Sequence, residues 1–284
     1  MNADVQNIIE KIHHKKEATT IVVGNQKGGV GKTTNTYLIA YTLAKYGVKT
    51  LVADLDPQAN ATKTLMLTKG QNQDSVTTIN KTLMAGVQDK DLTDLPVNIV
   101  PNLDLIPSYI DFQDFTKYIY QNSKSDYEET HILKPLFEPF KSEYDVILLD
   151  VPPFSIEITR NAVMFSDFAL IVLQTHDDSL SGAEEYVNTL AKLVEKYDLS
   201  IEVIGILPML HDGRSTVDKV IIEDAKKEFG EESVFDTIVN QMARIKRFPI
   251  NGITDNDRFD KKVLAKYEEV TDELIHRLGL FMED

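Results

Sequence analysis

The sequence predicts an α/β fold: a doubly wound, mostly parallel sheet with helices on both faces. Three observations predict it. Short apolar, β-branched runs carry no polar alternation, as strands covered on both faces require. Segments with apolar residues at helical spacing separate these runs, at lengths that suit crossovers between parallel strands. The first unit, 20–54, is strand–helix–strand with a glycine-rich turn before its helix.

Residues 20–24 (TIVVG) form the first run, ended by Gly24. Residues 32–46 carry helical spacing at Leu38, Ile39, Thr42 and Leu43 and stop at Gly47. VKTLVAD (48–54) is a second buried strand. NIVPNLDLIPS (98–108) predicts two short strands joined at Pro101-Asn102, inside an irregular stretch over 70–143. Residues 111–141 have a helical pattern with a polar break at 121–126. YDVILLD (144–150) is a strand ended by Pro152-Pro153, and DFALIVLQ (167–174) is another, followed by a helix from Leu180 to Tyr197. IEVIGILP (201–208) precedes a helix from Thr216 to Phe229. The last helix, 259–281, carries Val263, Leu264, Tyr267, Val270, Leu274, Ile275 and Leu278 on one face. No linker rich in Pro, Gly or Ser interrupts the chain, so one domain is expected over 19–284, after an N-terminal arm over 1–18.

The chain has 284 residues, 42% of them hydrophobic, enough for a sizeable core and unlike a disordered composition. The formal net charge of −15 opposes phosphate backbones and anionic lipid. The absence of cysteine excludes disulfides, Cys-ligated zinc or iron–sulfur sites and a thiol nucleophile. Residues 1–18 hold Asp4, Glu10, Lys11, Lys15, Lys16 and Glu17 with no apolar core, so no signal peptide is expected. No run of 18 apolar residues is present, so no spanning helix is expected either.

GNQKGGVGKTT (24–34) lies between the first strand and its helix. Gly31-Lys32-Thr33 match the second half of the phosphate-binding pattern G-x4-G-K-[ST], while Gln26 stands where the first glycine falls. Glycines let backbone N–H groups of Gly28, Gly29, Val30 and Gly31 converge on an anion, and the helix starting near Lys32 adds its positive end. Lys32 would hold the β- and γ-phosphates with Thr34 nearby, and the Thr33 hydroxyl would ligate Mg²⁺. Asp54 and Asp56 follow the second strand, outside its C-terminal end, where parallel sheets bind ligands. Asp150 ends the strand of LLDVPP (148–153), as a carboxylate acting on Mg²⁺ would.

The loop resembles the deviant Walker A motif KGGxGK[ST] of the ParA/MinD superfamily of P-loop ATPases. ADLDPQANAT (53–62) resembles the ParA-type motif DxDPQxNAT, and DVPP (150–153) the family's DxPP. The resemblance covers roughly 18–280 and implies a P-loop NTPase fold with ATP and Mg²⁺ as cofactors. It implies that Lys27 reaches across a nucleotide-sandwich homodimer to the partner's phosphates, and that Asp56 orients the attacking water. Asp54 would support the loop and the metal's water shell. Residues 152–163 correspond to the family's switch region. GILPMLHDGRSTVD (205–218) resembles a base-side loop, which makes Met209 a candidate for adenine packing, with His211 as polar filler.

The DPQxNAT stretch favours the partition branch, ParA and Soj. That resemblance implies a cytoplasmic, nucleoid-associated ATPase whose ATP dimer binds double-stranded DNA without sequence preference. It also implies a ParB-like centromere-binding partner that stimulates hydrolysis. Arg244, Lys246 and Arg247 lie in an acid-free stretch, 241–254, and are the candidate DNA contacts, with 13–16 (HHKK) a weaker one. A MinD-like membrane regulator is the alternative. Its basic C-terminal helix is not matched here, where Glu268, Glu269, Asp272, Glu273, Glu283 and Asp284 outweigh Lys266 and Arg277. A P-loop ligase of the dethiobiotin-synthase kind is a lesser alternative.

Overall fold

The computed structural model describes residues 3–72, 78–153, 155–175, 179–210 and 215–282. A helix, α1 (Ala3–His14), precedes β1 (Thr19–Gly24), α2 (Lys32–Lys45) and β2 (Thr50–Asp54). Two helices, α3 (Asn60–Asn72) and α4 (Leu83–Asp89), lead to β3 (Val97–Val100) and β4 (Leu103–Ile106). Three short helices, α5 (Phe115–Asn122), α6 (Asp126–Thr130) and α7 (Lys134–Phe137), precede β5 (Val146–Asp150) and α8 (Ile156–Val163). β6 (Phe168–Gln174), α9 (Ser179–Tyr197), β7 (Glu202–Met209) and α10 (Thr216–Phe229) follow. A single turn, α11 (Phe248–Asn251), and the long α12 (Arg258–Leu280) end the chain.

The seven strands pair in the order β3-β4-β2-β5-β1-β6-β7. Every pairing is parallel except β3 with β4 at one edge. Along β1 and β5, successive side chains feed opposite faces, as strand geometry demands. Ile21, Val146 and Leu148 pack with α1, α2 and α12, whereas Val22, Ile147 and Leu149 pack with α4, α5 and α7–α10. Two cores flank one sheet, which is why the strands lack polar positions. β1 runs to α2 and then to β2, leaving β5 between them, so the chain changes direction at β1 and opens a crevice at the strand C-termini. Parallel bridges from Ile206 to Val234 and from Met209 to Val239 place an extended segment along the outer side of β7, covering that edge.

Two helices, α1 and α3, differ from expectation, and one expected break is present. The N-terminal segment contributes α1, whose Val5, Ile9 and Ile12 are buried on the same core as α12, with Ile8 against Gly279. α3 lies where no helix was expected. Its buried Thr64 and Thr68 hydroxyls donate back to the carbonyls of Asn60 and Thr64, a bonding pattern that periodicity does not reveal. The break at 121–126 is present: Ser125 caps α6 by accepting the Glu128 N–H.

Candidate nucleotide site

The loop after β1 is shaped by two left-handed glycines. Gly29 has φ +77° and Gly31 φ +100°, a region that costs other residues strain. Gly31 also approaches the Met209 sulfur so closely that a Cβ would lie 2.9 Å from it. Gly31 caps α2 without a side-chain hydrogen bond, so the first N–H groups of α2 have no side-chain cap. Lys32 folds back over the loop: its Nζ donates to the carbonyls of Asn25 (2.9 Å) and Lys27 (2.8 Å). Burial lowers its pKa to about 8, against the opposing pull of Asp150 and Asp56.

Asp54, Asp56 and Asp150 meet this loop at the ends of β2 and β5. Asp54 and Asp150 are register partners and both are fully buried. Asp54 accepts the N–H of Asp56 (3.1 Å) and both the N–H and hydroxyl of Thr62 (2.8 Å each). These bonds hold the 55–62 turn and the start of α3, so Asp54 supports the loop through direct bonds. Neither oxygen of Asp150 has a hydrogen-bond partner. Burial and the neighbouring Asp54 charge push its pKa well up, while Thr33 and Lys32 oppose that rise. A buried carboxylate with both oxygens open beside Thr33 fits a hydrated Mg²⁺. Among the described residues no group of three His, Cys, Asp or Glu could hold a metal. An ion held chiefly by one carboxylate, a hydroxyl, water and phosphate suits Mg²⁺.

A cleft of about 660 Å³ opens above these groups. It brings together Gly29, Gly31, Lys32, Thr33, Thr34 and Asp56. Asp56 accepts the Gln58 N–H at 2.9 Å, which fixes its carboxylate at the cleft wall. Gly28 is exposed beside Pro153. Val30 is buried among Val23 and Val172, so only its backbone can serve an anion. Lys27 does not line the cleft. It is half-buried, with its N–H bonded to Asn25 Oδ1 (2.8 Å) and its stem against Gly182 of α9.

Met209 lies outside the cleft. It packs against Gly31, with Asn35 Nδ2 2.7 Å from its sulfur, a contact that shapes the phosphate loop. The cleft lining also includes Gln58, Gln113 and Pro249, which sequence reading missed. Gln113 and Pro249 arrive from distant turns, and no local motif marks them. His211 and Phe154 lie outside the described residues.

Arg244 is engaged within the chain. Its guanidinium pairs with Asp257, and its Nε lies 2.6 Å from buried Asp260 Oδ1, an ion pair off the line of a hydrogen bond. Lys246 and Arg247 are exposed. The Arg244 pairs draw this turn to the start of α12, where Arg258, Lys261 and Lys262 are also exposed. Sequence reading missed those three because acids interrupt the run.

The family model described as an AAA domain matches residues 18–203. The chain is 34% identical over 236 residues to the sporulation initiation inhibitor protein Soj of Bacillus subtilis, covering 82% of this chain and 88% of that protein. It is 30% identical over 235 residues to the chromosome partitioning protein ParA of Myxococcus xanthus, covering 82% and 78% respectively. Among solved structures, a Cyanothece McdA variant in complex with ATP superposes with a TM-score of 0.75, at 20% identity, over 92% of this chain and 97% of that one. With the KGGVGKTT loop, the buried aspartates and the seven-stranded sheet, these matches show that the chain belongs to the AAA-domain family of P-loop ATPases, in its ParA/Soj partition branch.

Proposed function

We propose that this ATPase hydrolyses ATP with Mg²⁺ and uses the cycle to gate a homodimer on double-stranded DNA. The observation that carries the catalytic part is the convergence of Lys32, Thr33 and Asp56 on one cleft, with unpartnered Asp150 buried behind Thr33 and Lys32. The loop N–H groups and Lys32 bind the phosphates, and Lys32 exchanges its two carbonyl partners for phosphate oxygens. Thr33 and Asp150 would hold Mg²⁺, which would supply charge neutralisation at the transferred phosphoryl group. Asp56 orients water, a positioning role suited to phosphoryl transfer. Lys27, outside its own cleft, is free to serve the phosphates of a second protomer.

Exposed Lys246 and Arg247, with Arg258, Lys261 and Lys262 beside them, support a sequence-independent phosphate contact. The relatives' names support a partition role; a ParB-like partner that stimulates hydrolysis and a nucleoid location follow from the motif resemblance and belong to the same proposal. A net charge of −15 makes one small basic patch weak, so two patches in a dimer would be needed for retention. No described helix is long and apolar enough to cross a membrane, and the acidic face of α12 disfavours an anionic lipid surface. The test is retention of random-sequence duplex DNA with ADP, ATP or a nonhydrolysable analogue. Retention should require ATP or the analogue and disappear in Lys32→Ala; retention by that variant equal to the parent's would refute the gating.

A further inference from the structure

The segment carrying Lys27 is fastened to α9 at four consecutive residues. At Gly24, a Cβ would lie 2.1 Å from the buried Tyr186 ring, so only glycine lets β1 and α9 approach this closely. Asn25 donates from Nδ2 to Ser179 O at the start of α9 (3.5 Å) and to Val172 O of β6 (2.9 Å), and it accepts the Lys27 N–H on its Oδ1. Gln26 donates from Nε2 to Thr189 Oγ1 at 3.1 Å. The Lys27 stem then lies in the notch left by Gly182, where an added Cβ would be 2.5 Å from Lys27 Cγ and 2.7 Å from Asn25 Oδ1. Gly182 is buried inside a 19-residue helix, a location where glycine lowers helix stability relative to alanine. Nothing in the helix itself requires a glycine there, since its φ is not in the left-handed region. The requirement comes from Lys27 and Asn25.

We infer that Gly182, with Asn25, is a positioning residue for Lys27: α9 supplies a notch that sets where the lysine stem leaves the loop. The inference rests on the proposed role of Lys27 in hydrolysis. Lys27 does not line the cleft, and among the described residues its side chain makes no hydrogen bond or ion pair, so packing on α9 is what directs it. Any side chain at position 182 must push the stem or the Asn25 amide aside. Lys32 bonds to the backbone carbonyls of Asn25 and Lys27, so a shift confined to their side chains leaves those bonds in place.

The test is a double-mutant cycle on the full chain, reading steady-state ATP hydrolysis, ATP-analogue affinity and thermal midpoint. Gly182→Ala should cut kcat about tenfold or more, the scale of a misplaced catalytic group. Analogue affinity should stay within about twofold and the melting temperature should hold or rise, since alanine favours the helix. In a Lys27→Ala background, adding Gly182→Ala should cause no further loss. Asn25→Ser should reproduce the kcat loss and serves if Gly182→Ala does not fold. An equal fold-loss in both backgrounds, or full kcat in both Gly182→Ala and Asn25→Ser, overturns the positioning role alone. Full hydrolysis by Lys27→Ala overturns the role of Lys27 and the positioning role together.

Discussion

Asp54 and Asp150 sit side by side at the C-terminal ends of β2 and β5, and only Asp54 has its oxygens filled by hydrogen bonds. The two carboxylates therefore do different work. Asp54→Asn presents an amide to the Thr62 donors and should destabilise the fold by about 1–3 kcal/mol, the cost of an unsatisfied buried group. Asp150→Asn removes a buried charge that has no hydrogen-bond partner, so its apo form should melt at the parent temperature or above. Its stabilisation by ATP with Mg²⁺ should vanish. Thermal melts with and without the nucleotide check both; an Asp150→Asn protein that Mg²⁺–ATP still stabilises would contradict the metal assignment.

The same pair sets a pH dependence. Burial raises both carboxyls above the usual aspartate value of 3.8. The folded state then binds more protons than the unfolded one between that value and the folded pKa, so stability falls as pH rises through this window. Apo protein should lose stability from mildly acidic toward neutral pH through these groups. Asp150→Asn should flatten that decline, measured as denaturant midpoints across pH. An unchanged slope would count against the buried pair.

Lys32 works in the opposite range. Its free-state pKa is lowered to about 8 by burial, and a bound triphosphate would raise it. Above about pH 8, ATP must bind together with a proton, so affinity should fall by up to about tenfold per pH unit. Calorimetry in buffers of different ionisation enthalpy should show proton uptake that Lys32→Ala abolishes. Buffer-independent heats at that pH would refute it.

The N-terminal helix tests the boundary expected at residue 18. Val5, Ile9 and Ile12 are buried beside α12, and full burial of such side chains is worth about 1.5–3 kcal/mol each. Deleting residues 1–15 should therefore destabilise the protein by on the order of 5 kcal/mol. A truncated chain that melts like the parent would make 1–18 a separable arm.

The strands and the phosphate loop were legible because their signals are local. Continuous β-branched runs encode two-sided burial, and KGGVGKTT carries its chemistry in eight consecutive residues. Contacts made across the chain were not legible. Met209 ends a strand at the correct edge of the sheet, but its side chain packs against Gly31, an orientation that a strand end does not specify. Pro249 reaches the cleft wall from a turn after the sheet is complete. Gly182 has no motif around it, and its meaning appears only when Lys27 is packed against it.

Arg244 shows the same limit and divides the basic stretch into two classes. In sequence it looks free, yet Asp257 and Asp260 follow it and pair with it in the fold. Asp260 is buried and also accepts the Thr254 hydroxyl and Asn256 N–H, so losing Arg244 leaves a partly satisfied buried charge. Arg244→Ala should destabilise the protein by about 1–3 kcal/mol. Lys246→Ala and Arg247→Ala should leave the melting temperature unchanged. Each should instead lower the slope of log DNA affinity against log salt by about one, the signature of a lost phosphate contact. Arg258→Ala and Lys262→Ala should add to that loss if the patch extends onto α12. Unchanged salt slopes in the Lys246 and Arg247 variants would move the DNA contact to another surface, whatever Arg244→Ala does to stability.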